Sequence, residues 1–542
     1  MAPNRTAVAS QESLERIFTV PEGPDSTLRK IESEISQNLS GFLKENIAAI
    51  EKPLSEIEKD FQSAVIPEEP DFVSHYAQDI LDKLIAHSVH TSAPSFIGHM
   101  TSALPYFILP LSKLMVGLNQ NLVKIETSKA FTPLERQVLA MMHHLAYGES
   151  DKFYKRWMHS AQAALGTLCS GGTVANISAL WIARNKLLAP NGDFAGINEE
   201  GLAAGLVHYG YKGLAVLVSE RGHYSLSKTA DLLGIGRKNI VPVATDSRDK
   251  VDVNAMREKA QALAEQGIKV MAIVGVAGAT ETGSVDPLDK LAELAAELQC
   301  HFHVDAAWGG ATLLSENYRG LLKGIEQADS ITIDAHKQMY VPMGAGIVLF
   351  KDPTDVSAIE HHAEYILRRG SKDLGAHTLE GSRPGMAMIV HACMKIIGRK
   401  GYEILIDRSI SRAKHFAKLI QQAPDFQLVS EPELCILTYR YVPAEVQLAL
   451  LDADESTKAC LRNLLNQFTA NIQKRQRESG KSFVSRTRLT PDAYDNEATV
   501  VFRVVLANPL TTKQILQDIL AEQREIAQKD PLYKQILAIA KG

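Results

Sequence analysis

The chain has 542 residues, 45% of them hydrophobic and 22% charged; this is ordinary globular composition, and the length exceeds what one compact core organises, so two or three domains are expected. With 58 basic and 63 acidic residues the net charge is −5, which gives no reason to expect nucleic acid or an anionic membrane surface as a partner. Cysteines at 169, 300, 393, 435 and 460 form no CxxC pair, a scattered odd set that argues for reduced thiols in the cytoplasm and against a Cys/His metal site.

The opening "MAPNRTAVAS" lacks the apolar stretch of a signal peptide, and no apolar run reaches the ~20 residues of a membrane-spanning helix. Residues 25 to 46 carry Leu28, Ile31, Ile35, Leu39 and Phe42 at steps of three and four, with Asp25 or Ser26 able to cap the start. This predicts an amphipathic helix that packs on the core or on a partner subunit. "IPEEPDF" (66–72) reads as a linker. From about residue 160 short apolar runs alternate with helical stretches. Strands are predicted over 214–219, 240–244, 270–276, 301–305, 330–334 and 346–350, with helices over 173–185, 224–233, 253–265 and 287–298. The alternation predicts an α/β architecture, a mainly parallel sheet covered by helices on both faces, with ligands at the carboxyl ends of the strands. After about 395 the order changes to a helix over 402–421, strand-like "FQLVSEPELCILTYRYV", a helix over 452–476, strand-like "ATVVFRVVLANP" and a last helix from 511. The expected division is an N-terminal helical segment (1–115), a large domain (116–395) and a C-terminal α+β domain (396–542).

Three stretches carry chemistry. In "DSITIDAHKQMYVPMGAG" (329–346), polar residues alternate with Ile331 and Ile333, and Lys337 follows just past the strand end. A partly desolvated lysine there favours its neutral amine, which can form a Schiff base with a carbonyl; the alternative is a lysine snorkelling from a strand end. In "CHFHVDAAWGGA" (300–311), a strand ends in Asp305, and the small residues Ala306, Ala307, Gly309 and Gly310 leave room for a flat ring. A buried aspartate needs a partner; a protonated pyridine nitrogen would serve, as would a helix cap or an ion pair. In "LCSGGTVANISALWIARN" (168–185), a glycine turn runs into a helix, and its first N–H groups, near Gly171 to Val174, suit a phosphate. A phosphate cradle, an acid for a ring nitrogen and a lysine for an aldehyde are the three anchors that pyridoxal 5′-phosphate needs.

The motifs "SGGTVAN", "HVDAAWGG" and "DAHK", with the spacing from Asp305 to Lys337, resemble those of the group II pyridoxal-phosphate-dependent amino-acid decarboxylases, and the resemblance spans residues 90 to 510. It implies an aspartate-aminotransferase-like, fold type I domain with flanking segments. It further implies that Lys337 joins the cofactor aldehyde, that His336 contacts its phosphate with Gly172 and Thr173, and that Asp305 pairs with the ring nitrogen. Ala307 would lie against the ring, Thr280 of "GATETGSVD" near its polar edge, and His223 of "SERGHYSLSKTA" stacked upon it. Lys337, His223 and Asp305 are thereby the catalytic set. Arg503 of "VVFRVVLANP" matches an arginine near the substrate α-carboxylate, and His99 of "APSFIGHMTS" stands at the family's substrate-recognition stretch. Lys372 occupies the place of a tyrosine that the family carries on a mobile loop, with Tyr365 nearby but out of register. This leaves Lys337, His223 or Lys372 as proton donor. The family is homodimeric with sites at the interface, so His99 would serve the neighbouring subunit. The stretches "FIGHMTSALPYFILPLSKLMVGLNQN" and "ITIDAHKQMYVPMGAGIVLF" are most similar to the bacterial aspartate 1-decarboxylases, which implies an acidic amino acid as substrate: L-aspartate, converted to β-alanine for pantothenate and coenzyme A supply. Glutamate or cysteine sulfinate is the alternative substrate. A catalytically silent binding protein and an aminotransferase are the alternatives of other classes.

Overall fold

The structure is a computed structural model that describes residues 29–33, 53–362, 370–491, 494 and 496–541. Of the helix expected over 25–46, residues 29–33 are helical and the remainder lies outside the described residues, as does Tyr365. The 66–72 stretch is exposed and neither helix nor strand.

A seven-stranded sheet forms the centre: β1 (Gly166–Cys169), β2 (Gly213–Ser219), β3 (Ile240–Val243), β4 (Ile268–Val276), β5 (His301–Asp305), β6 (Ser330–Asp334) and β7 (Gly346–Phe350). Their order is β1-β7-β6-β5-β4-β2-β3. β7 runs antiparallel to both neighbours and the other pairings are parallel, so the sheet is mainly parallel as expected. Parallel strands need crossovers, and these are supplied by helices Gly172–Leu187, Ser225–Leu232, Val253–Glu265 and Leu288–Leu298. Asp252 caps the third of these through its side chain, accepting from the N–H groups of Asn254 and Ala255. One sheet face packs Leu217, Ile273, Val304, Ile331 and Ile333 into the largest core, and the other packs Val216, Val218 and Val274 against Leu180, Leu226 and Ala230.

The sequence reading lacks β1 and helix Ile197–Tyr209. β1 is four residues long, and the helix is interrupted at Gly201, whose φ of 82° breaks the periodicity that would announce it. Helix Met386–Gln422 runs across the expected boundary at 395/396 and bends at Gly398, where φ is 68°. Beyond it, β8 (Phe426–Ser430), β9 (Ile436–Tyr441), β10 (Ser485–Leu489) and β11 (Thr499–Val505) form an antiparallel sheet in the order β10-β11-β9-β8. Helices Glu455–Ser479 and Lys513–Lys529 pack on it.

The stretch before the first long helices is sewn to this second sheet. Phe96 stacks on Phe483 with ring centroids 4.9 Å apart, and Asn508 Nδ2 donates to the carbonyls of Ser92 and Ala93. The Val505 N–H donates to Ile97 O at 2.6 Å. These bonds bring residues 97–100 beside β11 and over the carboxyl ends of the central strands. No helix among the described residues is long and apolar enough to cross a membrane.

Candidate active site

The carboxyl ends of β2, β4, β5 and β6 open into a cavity of about 360 Å³. Lys337 and His336 enter it from the turn after β6, Asp305 and Ala307 from β5, Thr280 from the loop after β4 and His223 from the loop after β2. Gly172 and Thr173 enter from the start of helix Gly172–Leu187. The structure thus gathers eight residues singled out by sequence around one space.

The turn that carries Lys337 is closed by its own N–H donating to Asp334 O at 3.1 Å. Its Nζ sits 3.1 Å from Asp334 Oδ2, and the Asp334 carboxylate is 4% exposed with Oδ1 lacking a hydrogen-bond partner. Asp305, at the cavity floor, is held at both oxygens: Oδ2 accepts from Asn176 Nδ2 at 2.8 Å and Oδ1 from the Ala307 N–H at 3.2 Å. A carboxylate fixed in this way, facing a cavity floored by Ala307, suits a cationic ring nitrogen.

The other end is built for an anion. Gly172 and Thr173 start a helix whose first N–H groups have no intrahelical carbonyl to bond. The backbone there must come close to its surroundings: a Cβ on Gly172 would lie 2.8 Å from Asp334 Oδ2, and one on Gly171 would lie 3.3 Å from the His336 ring. His336 is fixed through Nδ1 against Ala345 at 3.1 Å, and burial pushes its pKa down. His223 is likewise pushed down by burial, and its Nδ1 meets Ser225 Oγ at 2.8 Å.

Arg503 and His99 form the rim rather than the wall. Arg503, 7% exposed on β11, donates from Nε to Thr280 O at 2.5 Å and from Nη1 to Gly98 O at 3.5 Å, while its Nη2 is buried without a partner. Burial pulls its pKa down to about 10, with Glu281 opposing. His99 reaches the surface with its ring half desolvated; Nδ1 lies 3.0 Å from Thr101 Oγ1, and the pKa is lowered by that desolvation and by the charges of Arg503 and Lys337. Lys372 is exposed, does not line the cavity, and gives its carbonyl to Arg136 Nη2 at 3.1 Å.

Sequence reasoning missed Asp334, Asn176, Ser225 and the lining residues Arg221 and Met100. Asp334 stands inside "DAHK", where the sequence marks it only as a strand end. Asn176 lies in "SGGTVAN", where the glycines mark the turn and nothing local marks the amide. Among the described residues no group of His, Cys, Asp and Glu is arranged to hold a metal ion. The residues present fit pyridoxal 5′-phosphate: an unpartnered anion cradle, a fixed carboxylate and a lysine amine converge on one cavity.

Comparison with known proteins agrees. The pyridoxal-dependent decarboxylase conserved domain matches residues 55–442. The chain is 63% identical over 538 residues to aspartate 1-decarboxylase of Aliivibrio fischeri, covering 98% of each chain. It is 28% identical over 372 residues to an acidic amino acid decarboxylase of Bos taurus, covering 67% of this chain and 66% of that one. Mouse CSAD in apo form shares the fold, with a TM-score of 0.79 at 22% identity over 92% of this chain and 98% of its own. The cavity's three anchors and a family match across most of the sequence meet in one conclusion: this chain belongs to the pyridoxal-dependent decarboxylases and is a carboxy-lyase that works with pyridoxal 5′-phosphate.

Proposed function

We propose that the substrate is L-aspartate and that loss of its α-carboxyl group gives β-alanine and CO₂, in the cytoplasm, as a supply for pantothenate and coenzyme A. The observation that carries this reading is the 63% identity to an aspartate 1-decarboxylase over 98% of both chains. The rim supports an acidic substrate: the Arg503 guanidinium offers a free Nη2 for the α-carboxylate, and the neutral His99 ring stands beside it as a hydrogen-bonding partner for the side-chain carboxylate.

When bound, the cofactor supplies an electron-poor ring that takes up the electron pair left at Cα as CO₂ departs. The chain's own residues do the rest. Lys337 Nζ holds the aldehyde end, and Asp334 steers that amine from 3.1 Å. Asp305 would keep the ring nitrogen protonated, Ala307 and His223 would lie against the ring, and Thr280 would stand near its polar edge. Gly172, Thr173 and His336 take the phosphate. Arg503 and His99 would bind the substrate's carboxylates at the rim and so fix its orientation. Lys337 and His223 line the cavity and are placed to deliver the proton to Cα; Lys372 lies outside the lining.

The active unit in this reading is a homodimer. Solvent-facing Leu114, Val116 and Leu118 on helix Ile108–Leu118, with Tyr106 before it, give this part of the chain an apolar exterior of the kind a second subunit covers. Sedimentation of the purified protein at the mass of one chain would contradict it. Assay of CO₂ release from aspartate, glutamate and cysteine sulfinate tests the substrate. Turnover of aspartate above the other two is expected; release from glutamate but not aspartate overturns the choice, and no release from any supports a silent relative.

A further inference from the structure

Behind the cavity lies a buried polar stripe that ends at Asp305 and whose histidines and hydroxyls have no part in the roles assigned above. His301, His303 and Asp305 alternate along β5 and so share one sheet face; Ser330 and Thr332 share it on β6, which pairs His303 with Ser330. His303, Ser330 and Thr332 are fully buried, and the His301 side chain is 6% exposed. Helix Gly172–Leu187 lies near this part of the sheet and contributes Asn176.

With Asp305 ionised, donor counting fixes the sense of the bonds that lead to it, while the Asp329 carboxylate stands farther off, 3.8 Å from His301 Nδ1. Asp305 Oδ2 can only accept when ionised, so the group facing it at 2.8 Å is the Asn176 amide nitrogen. The Asn176 oxygen therefore faces His303 Nε2 at 3.0 Å and must receive a proton from it. His303 Nδ1 is then bare and accepts from the Ser330 hydroxyl at 2.8 Å. Ser330 Oγ in turn accepts from His301 Nε2 at 2.7 Å. Thr332 Oγ1 stands 3.5 Å from His303 Nε2 and does not reverse this order. All four bonds donate in one direction, toward the Asp305 carboxylate. The second hydrogen of the Asn176 amide goes to Ser225 Oγ at 3.0 Å, and Ser225 Oγ–H donates to His223 Nδ1 at 2.8 Å. That leaves the proton of neutral His223 on Nε2. Burial holds His301 and His303 neutral, with His303 pushed down to about 4, so the relay keeps its sense through neutral pH.

We propose that Asn176 is a positioning residue at the end of a one-way hydrogen-bond relay, His301–Ser330–His303–Asn176, which fixes the Asp305 carboxylate for the ring nitrogen and, through Ser225, sets the tautomer of His223. The inference rests on the assignment of Asp305 to that nitrogen. Such a chain polarises each bond along its length, so the final N–H donates to the carboxylate more strongly than an isolated amide would. It also couples the two groups that grip the ring, because a single amide serves both.

The test uses full-length apoprotein and pyridoxine 5′-phosphate, which has the ring nitrogen and phosphate but no aldehyde for Lys337. Asp305→Ala should weaken binding; if it does not, the assignment of Asp305 itself fails, whatever the relay does. With that effect in hand, Asn176→Ala should weaken binding roughly 10- to 150-fold, the range for losing a hydrogen bond to a charged group. His303→Leu should weaken it by a smaller factor, and His303→Gln, whose amide keeps a donor toward Asn176, should restore it. The His303→Leu effect should vanish in the Asn176→Ala background, because one acts through the other. Equal impairment by Leu and Gln at 303, additive losses in the double variant, or wild-type binding by Asn176→Ala would each overturn the proposal. Should the variants not fold, neutron diffraction from wild-type crystals locates the protons directly. Protons on Nε2 of His301, His303 and His223 are expected, and one on His303 Nδ1 overturns the relay.

Discussion

Arg503→Lys separates substrate recognition from cofactor binding. In the native site the guanidinium is divided: Nε goes to the Thr280 carbonyl, Nη1 reaches toward Gly98 O, and Nη2 remains for a ligand. A lysine ammonium cannot hold both the Thr280 carbonyl and a substrate carboxylate, because its donors radiate from one atom and its stem is shorter. The lost charge-assisted bond corresponds to ~1.5–3 kcal/mol, hence a fall of roughly 10- to 150-fold in kcat/KM for aspartate. Most of it should appear as raised KM, since the carboxylate is bound before the reaction as well as during it. Cofactor affinity, followed by the absorbance of the loaded enzyme, should not change. Burial pulls the Arg503 pKa down, but a guanidinium still keeps its proton well above neutrality, so wild-type affinity for aspartate should persist through neutral pH with no loss assignable to Arg503. Wild-type kcat/KM in Arg503→Lys, or a loss seen in cofactor affinity instead, would refute the reasoning.

Gly172→Ala places a methyl group 2.8 Å from Asp334 Oδ2 and 3.3 Å from Ala307 Cβ, so the anion cradle must open; a titration of the apoprotein should show weakened cofactor binding, with a stability loss of ~1–3 kcal/mol for overpacking. Glu135, fully buried, pairs with Arg383 Nη1 at 2.8 Å; Glu135→Ala strands that guanidinium and should cost ~3–5 kcal/mol in denaturant unfolding, with part recovered in Glu135→Ala/Arg383→Met. His143 is buried between Tyr154 OH and Phe350 O, and burial pushes it down to about 4. Its unfolded value is ~6.5, so the unfolded chain binds the extra proton in between; the stability is full above that value and falls as pH drops toward 4, by ~2 kcal/mol at pH ~5. His143→Gln should flatten this part of the urea-unfolding profile, and an unchanged slope would count against the assignment.

The core of the large domain was legible because its strands are short apolar or alternating runs and helices such as Val253–Glu265 keep their periodicity. Helix Val253–Glu265 lies at the expected bounds, and β5, β6 and β7 do as well. The residues gathered around the cavity were legible where chemistry and chain direction coincide, at the carboxyl end of a parallel strand. What stayed hidden depends on contacts between distant segments. Nothing local in "SFIGHMTS" says that the Ile97 carbonyl will pair with the Val505 N–H, yet that bond carries His99 to Arg503. Nor does periodicity reveal Asn176, since it is buried on a helix whose sheet-facing neighbours, Ala175 and Ala179, are merely small.

One signal was present in plain view and its meaning follows only from burial. Strands central to a parallel sheet are covered on both faces and should be apolar throughout. β4 obeys, with "VMAIVGV" buried along its length. β5 and β6 do not: "HFHVD" and "SITID" alternate as half-exposed strands do, although every residue of β6 is buried. Alternation normally marks a face open to water. Here the polar face is closed by helix Gly172–Leu187, and the desolvation of two imidazoles and two hydroxyls is offset only because each finds a partner on the same stripe. A fold under selection for stability alone would place valine and isoleucine at these positions. The buried polar stripe ends at Asp305, and its cost is intelligible if the carboxylate there must be held still for a cationic ring nitrogen. The tautomers of His301 and His303 therefore bear on the chemistry of a site that neither side chain touches.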